Sequence, residues 1–397
     1  MWSLSQFLVK YAVLLIVFNL FIVVFCPANA SAKSMTDDVV DKQLDNISTD
    51  DIKVYWDKVV NQYDGFLPES KDMTFKEFLM ADKSHFMKEW WTGGMRYLFH
   101  ELLVNGKLLG TLILLTVFSM VLQNIQNAFE HPTVSKVAYA VVYMVLVILA
   151  LNSFKIATSY TMTVINDMSH FLLALMPLIL ALMATSGSFT SVAFFHPLVM
   201  FLINASGWLT SVIVLPLLFL STFLYIVSAL SEHYKVTRLA KLLRSVGIGI
   251  LAIFFAIFLG VISVQGAATA ISDGLLARTA KFVTGNFVPV IGRMFTDAAD
   301  TVLSASALVK NTVGIAGLVI LVTIVLFPVL KVMALAFIYH LASAVLQPLG
   351  GGPIIECLAI IGRSMIYVFA CLAIVALMFF LAITIIIASS NLSLMVR

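Results

Sequence analysis

Charge is scarce in this sequence: only 11% of its 397 residues are Asp, Glu, Lys or Arg, whereas 61% are hydrophobic, and mean hydropathy is +1.03. A soluble globule of this length could not cover its surface with so few polar groups. Cysteine is nearly absent too, with Cys26, Cys357 and Cys371 the full set. Nothing in their number or spacing suggests a disulfide framework or a metal site, so Cys357 and Cys371 are expected to be small apolar packers. The motifs of chemistry are missing as well. No H-E-x-x-H, G-x-S-x-G or CxxC pair occurs, His131, His196 and His340 are isolated, and adjacent His100 and Glu101 must point to different faces of a helix. No catalytic, cofactor-binding or metal site is expected, and the chain is not expected to be an enzyme.

What the sequence does hold is long uncharged runs, at 108–129, 137–154, 168–231, 245–272, 311–330, 332–355 and 364–396. About 20 apolar residues at 1.5 Å rise cross a hydrocarbon core of roughly 30 Å. The fold class is therefore all-α, a polytopic helical membrane protein. Dividing the longest run near Ser186–Gly187 and Ser206–Gly207 gives about nine spans, near 103–123, 137–154, 169–186, 192–206, 208–230, 246–266, 312–330, 332–348 and 364–388. Seven or eight remain if one segment is re-entrant.

At the N-terminus, Lys10 precedes the apolar stretch Tyr11–Cys26, and "ANASAK" places Ala28 and Ala30 as the small residues of a cleavage site. This reads as a signal peptide, residues 1–30; the alternative is an uncleaved first anchor. Residues 31–101 then carry 14 of the 21 acidic residues against nine Lys and Arg, and form an acidic extramembrane domain. Within it Ile52, Tyr55, Trp56, Val59, Val60 and Tyr63 recur at helical spacing behind the cap candidates Thr49 and Asp50. Thr74 to Glu77 has the capping-box pattern, and a third helical stretch begins near His85, with Trp90, Trp91 and Tyr97 suited to a bilayer interface.

The stretch 231–245 holds Lys235, Arg238, Lys241 and Arg244 against Glu232, which the positive-inside rule assigns to the cytoplasm. Counting five spans from an outer acidic domain arrives at the same side, and Lys331 and Arg397 follow onto it. The basic residues either fix topology and touch anionic headgroups or dock a cytoplasmic partner. Scattered Pro177, Pro197, Pro216 and Pro328 are expected to kink spans.

Two segments between spans draw attention. Gly350, Gly351 and Gly352 in "VLQPLGGGPIIEC" lack the lysine and hydroxyl of a phosphate loop, so they mark a turn or a re-entrant break at the outer end of a span. Residues 267–311 are too polar to cross lipid alone and too apolar for an ordinary loop. There Arg293, Asp297, Asp300 and Ser304 recur at i, i+4, i+7 and i+11 on one helical face. That stripe is either the solvated face of an interfacial helix or a polar lining shared with a neighbouring subunit. The domain order is thus 1–30, 31–101, membrane helices over 102–266, the amphipathic segment 267–311, and membrane helices over 312–397.

Several long mixed strings, "FLPES", "LFHELLVNGKLLGTLILLTVF", "AFFHP", "FLGVISVQG", "RTAKFVTGNFVPVIGRMFTDAADTVLSAS" and "LQPLGGGP", resemble stage III sporulation protein AE of endospore-forming bacteria, in order from about Asp50 to the C-terminus. The resemblance implies a multi-pass protein of the mother-cell membrane surrounding the forespore, with its N-terminal domain in the intermembrane space and its C-terminus cytoplasmic. It implies membership of a channel or secretion-like complex with the other proteins of its operon, a separate secretion-type ATPase and a forespore-membrane partner. No nucleic acid is implied, and a homo-oligomer is compatible. The competing readings are a small-molecule permease and a structural membrane anchor for channel assembly.

Overall fold

The computed structural model describes residues 50–63, 65–67, 86–128, 133–186, 188–230, 235–287, 291–349 and 352–395. The signal stretch 1–30 and the capping box at 74–77 lie outside them. Among the described residues the chain is helical and has no strand. The elements are α1 (Asp50–Gln62), α2 (Phe86–Val104), α3 (Gly106–Ala128), α4 (Thr133–Thr185), α5 (Phe189–Trp208), a π-helical turn (Leu209–Val214), α6 (Leu215–Leu230), α7 (Thr237–Phe287), α8 (Ile291–Leu346), a 3-10 turn (Gln347–Leu349) and α9 (Pro353–Met395).

Six stretches of the described residues are long and apolar enough to cross a membrane, in place of the expected nine. The difference has one cause. Expected spans 137–154 and 169–186 are two halves of α4, 312–330 and 332–348 are two halves of α8, and 192–206 with 208–230 run together through the π turn. Lys155 and Lys331 end uncharged runs, but lysine is a good helix former and a lone charge does not break a backbone. Ser206–Gly207 also stays helical, whereas the expected break after Ser186 holds, α4 ending at Thr185 and α5 beginning at Phe189. With 53 residues α4 is about 80 Å long, more than twice a hydrocarbon core.

The π turn follows from Pro216. Proline has no N–H, and its ring crowds the carbonyl four residues back, so an intrahelical bond is lost there. The helix widens instead, and the Leu215 N–H donates to the Thr210 carbonyl five residues before it. Pro177, Pro197 and Pro328 lie within continuous helices.

Long helices running back and forth define two ends. At the basic end, the Ser228 and Thr237 hydroxyls lie 2.6 Å apart across the α6–α7 turn, and Ser221 donates to the Ala240 carbonyl at 2.7 Å. At the far end, the Ser191 N–H donates to Asp273 at 3.2 Å, and buried Lys310 donates to Asn391 at 2.8 Å. Between them small residues let helices approach. A Cβ on Gly317 would come within 2.5 Å of a Leu175 methyl, and one on Gly207 within 2.9 Å of the Ser169 hydroxyl. Close approach of this kind suits lipid, where burial from water no longer drives helices together. Cys357 and Cys371 are buried and unpaired in α9, as small apolar packers would be.

Candidate functional site

The N-terminal helix folds onto the middle of the bundle. Ile52, Trp56 and Val59 of α1, with Tyr63 just past its end, form the buried stripe that the spacing predicts. Tyr55 meets Phe171 of α4 edge to face, and Tyr63 stacks on Phe327 of α8 at 4.2 Å. Tyr97 of α2 packs edge-on against both Tyr63 and Phe327, so it belongs to this aromatic core and not to a bilayer interface. Each such ring pair contributes roughly 0.5–1.5 kcal/mol beyond area burial.

Polar contacts surround the aromatic core. Lys58 of α1 pairs with Asp167 of α4 at 2.9 Å, and the Tyr63 and Tyr160 hydroxyls lie 3.4 Å apart. Burial first, and the neighbouring Tyr160 phenol next, push the Tyr63 hydroxyl above its ordinary range, so it stays neutral. Lys331 of α8 pairs with Glu101 of α2 at 3.1 Å and lies 5.3 Å from the Tyr160 ring centre. Glu101 and Lys331 therefore share one level of the molecule, which corrects the expectation that they fall on opposite sides.

The outward face of α4 changes character along its length. Val137, Val141, Met144, Val145 and Ile148 are exposed in its first part. Further along the same helix Asn152, Lys155, Ser159, Thr163, Asn166 and His170 are exposed, spaced three or four residues apart, with Ile156 the apolar exception beside them. This polar stripe is the functional candidate that sequence reading missed. Its period is visible in the sequence, but the charge of Lys155 ends the uncharged run there.

At the basic end, α7 begins at Thr237, so Arg238, Lys241 and Arg244 lie on helix and only Lys235 precedes it. Arg244 is held firmly. It donates to the Tyr225 hydroxyl at 2.7 Å and sits 4.6 Å and 4.8 Å from the Tyr225 and Tyr367 ring centres. A cleft of about 410 Å³ opens beside it, lined among others by Lys235, Thr237, Glu356, Ile360 and Arg363. Because Lys235 and Glu356 line one cleft, the turn before α9 lies at the basic end, not at the opposite end as expected. Gly352 of that turn is half-buried and has open space where a Cβ would stand; Gly350 and Gly351 lie outside the described residues.

Arg293, Asp297, Asp300 and Ser304 fall on the helical backbone of α8, as the spacing predicts, while their side chains lie outside the described residues. The structure brings Lys235 and Arg244 together at the cleft, and Arg238 and Lys241 beside Leu242 and Val246 on a second, shallower one. Among the described residues no three of His, Cys, Asp and Glu gather as a metal-ligand set.

Helices of this length and apolarity define a polytopic α-helical membrane protein. Residues 70–390 match the family described as Stage III sporulation protein AE, and the chain belongs to that family. It is 59% identical over 352 residues to the Stage III sporulation protein AE of Bacillus subtilis (strain 168), covering 89% of this chain and 88% of that one. No solved structure matches it.

Proposed function

We propose that this chain is a component of the channel or secretion-like complex that connects mother cell and forespore, and that it acts by forming or bracing a conduit, without catalysis. The observation that carries this reading is the polar stripe from Asn152 to His170 in an otherwise apolar helix. A lysine facing lipid at the bilayer centre costs about 2.5–3.5 kcal/mol on the insertion scale. The stripe therefore faces water or the polar surface of another polypeptide. The other proteins of the operon, a separate secretion-type ATPase and a forespore-membrane partner are the polypeptides that family resemblance supplies.

The membrane is that of the mother cell around the forespore, with the basic end toward the mother-cell cytoplasm and α1 toward the intermembrane space. Three crossings, through Trp90–Ile125, Val137–Thr185 and Ser191–Leu230, precede the basic turn, an odd number like the five expected. The six crossings in total, an even number, bring the end of α9 back to the side of α1. Asn391 lies at the far end with Lys310, and on this reading the C-terminal end of α9 faces the intermembrane space in place of the expected cytoplasm.

The test is a Ser159→Leu/Thr163→Leu variant expressed in sporulating cells. Abundance in the membrane should hold while heat-resistant spores fall by at least an order of magnitude. Normal spore counts at normal abundance would overturn the reading.

A further inference from the structure

The cleft at the basic end carries an imbalance of charge that the fold does not itself resolve. Lys235, Arg244 and Arg363 line it, and Glu356 is the carboxylate among its lining residues. Lys235 is exposed and makes no hydrogen bond or ion pair with the described residues. Arg363 is exposed too; its Nε donates to the Ala359 carbonyl of its own helix at 3.2 Å, a bond that does not use its terminal guanidinium nitrogens. Arg244 is fixed between two tyrosine rings and uses one Nη on Tyr225, keeping further donors in a set orientation. Fixed arginine forks recognise the oxygens of phosphate in pairs, and lysine adds a point charge.

The surroundings indicate which phosphate. Ile360 and Ala229 give the cleft an apolar side, and Leu230, Leu239, Leu242 and Val246 are exposed on the adjoining ends of α6 and α7. Cations with exposed aliphatic residues beside them, at the end of a membrane-crossing bundle, match the level at which headgroups meet acyl chains. We propose that this cleft binds the phosphodiester of an anionic phospholipid headgroup in the leaflet that the basic end faces, with Lys235, Arg244 and Arg363 as its ligands. Tyr225 and Tyr367 serve as positioning residues for Arg244. The proposal rests on the membrane placement above but not on a role in sporulation, so a lipid measurement on the purified chain fails or succeeds independently of spore counts.

Native mass spectrometry of the full chain in detergent, titrated with phosphatidylglycerol and with phosphatidylcholine, tests it. Each basic residue near an anionic surface is worth roughly a fivefold factor, so wild type should retain phosphatidylglycerol over phosphatidylcholine by about tenfold or more. Lys235→Gln/Arg363→Gln should abolish the preference. Arg238→Gln/Lys241→Gln, which removes equal charge outside the cleft, should keep it. The proposal is overturned by a wild type with no preference, or by equal losses in the two double variants. Displacement of the lipid by inorganic phosphate or by a glutamate-rich peptide at comparable concentration would also overturn it, by identifying a free-anion or protein site.

Discussion

The Lys331 ammonium lies 3.1 Å from the Glu101 carboxylate, tying the middle of α8 to the last turn of α2. Glu101 is nearly buried and sits at the negative end of its helix, two circumstances that oppose a carboxylate. Lys331 offsets both. The pair thereby fixes the height at which the N-terminal region joins the bundle.

Removing one partner strands the other. Lys331→Ala should destabilise the protein toward the lower end of the roughly 3–5 kcal/mol typical of a broken buried pair, because Lys331 is itself about a third exposed. Glu101→Gln/Lys331→Met should recover most of that loss. Thermal unfolding in detergent compares the three proteins, and a double variant less stable than Lys331→Ala would contradict the argument.

Docking of α1 should rest on its buried stripe and hardly on its ion pair. Trp56 is 5% exposed, so Trp56→Ala should cost about 3–5 kcal/mol. Lys58 and Asp167 are 49% and 32% exposed, so Lys58→Ala should cost under about 1 kcal/mol. Limited proteolysis between α1 and α2 reports release of α1: early cleavage is expected in the tryptophan variant and wild-type resistance in the lysine variant.

Gly93 marks the closest approach within this region. A Cβ there would overlap the backbone carbonyl of Phe66, which cannot rotate away. Gly93→Ala should therefore destabilise by about 1–3 kcal/mol, the usual cost of overpacking. Gly110 has open space at the same test, and Gly110→Ala should stabilise α3 by up to about 1 kcal/mol. Equal effects at the two positions would refute the packing argument.

Much of this architecture is legible in the sequence, and its failures have a common origin. The stripe Ile52, Trp56, Val59 and Tyr63 declares α1 because one periodic apolar face meets a polar one. The break at Ser186–Gly187 is equally readable. At Lys155, Lys331 and the basic residues 238–244 the local pattern fails because a charge in an apolar run suggests water, whereas a helix continues through it whenever a distant partner or an aqueous surface receives it. Glu101 and Tyr160 play that part for Lys331, and Tyr225 and Tyr367 for Arg244. Nothing local in the sequence names those partners. The polar stripe of α4 was visible as a period, but only a helix known to be continuous gives it one face.

That stripe also supplies the most direct test of the central claim, that the middle of α4 meets polar surface within a multiprotein assembly. A photo-crosslinking amino acid placed at Thr163, with Met144 as the comparison, would be irradiated in sporulating cells and the adducts identified by mass spectrometry. The account predicts protein adducts with other membrane proteins of the sporulating cell at Thr163 and lipid adducts at Met144. Lipid adducts alone at both positions would contradict it.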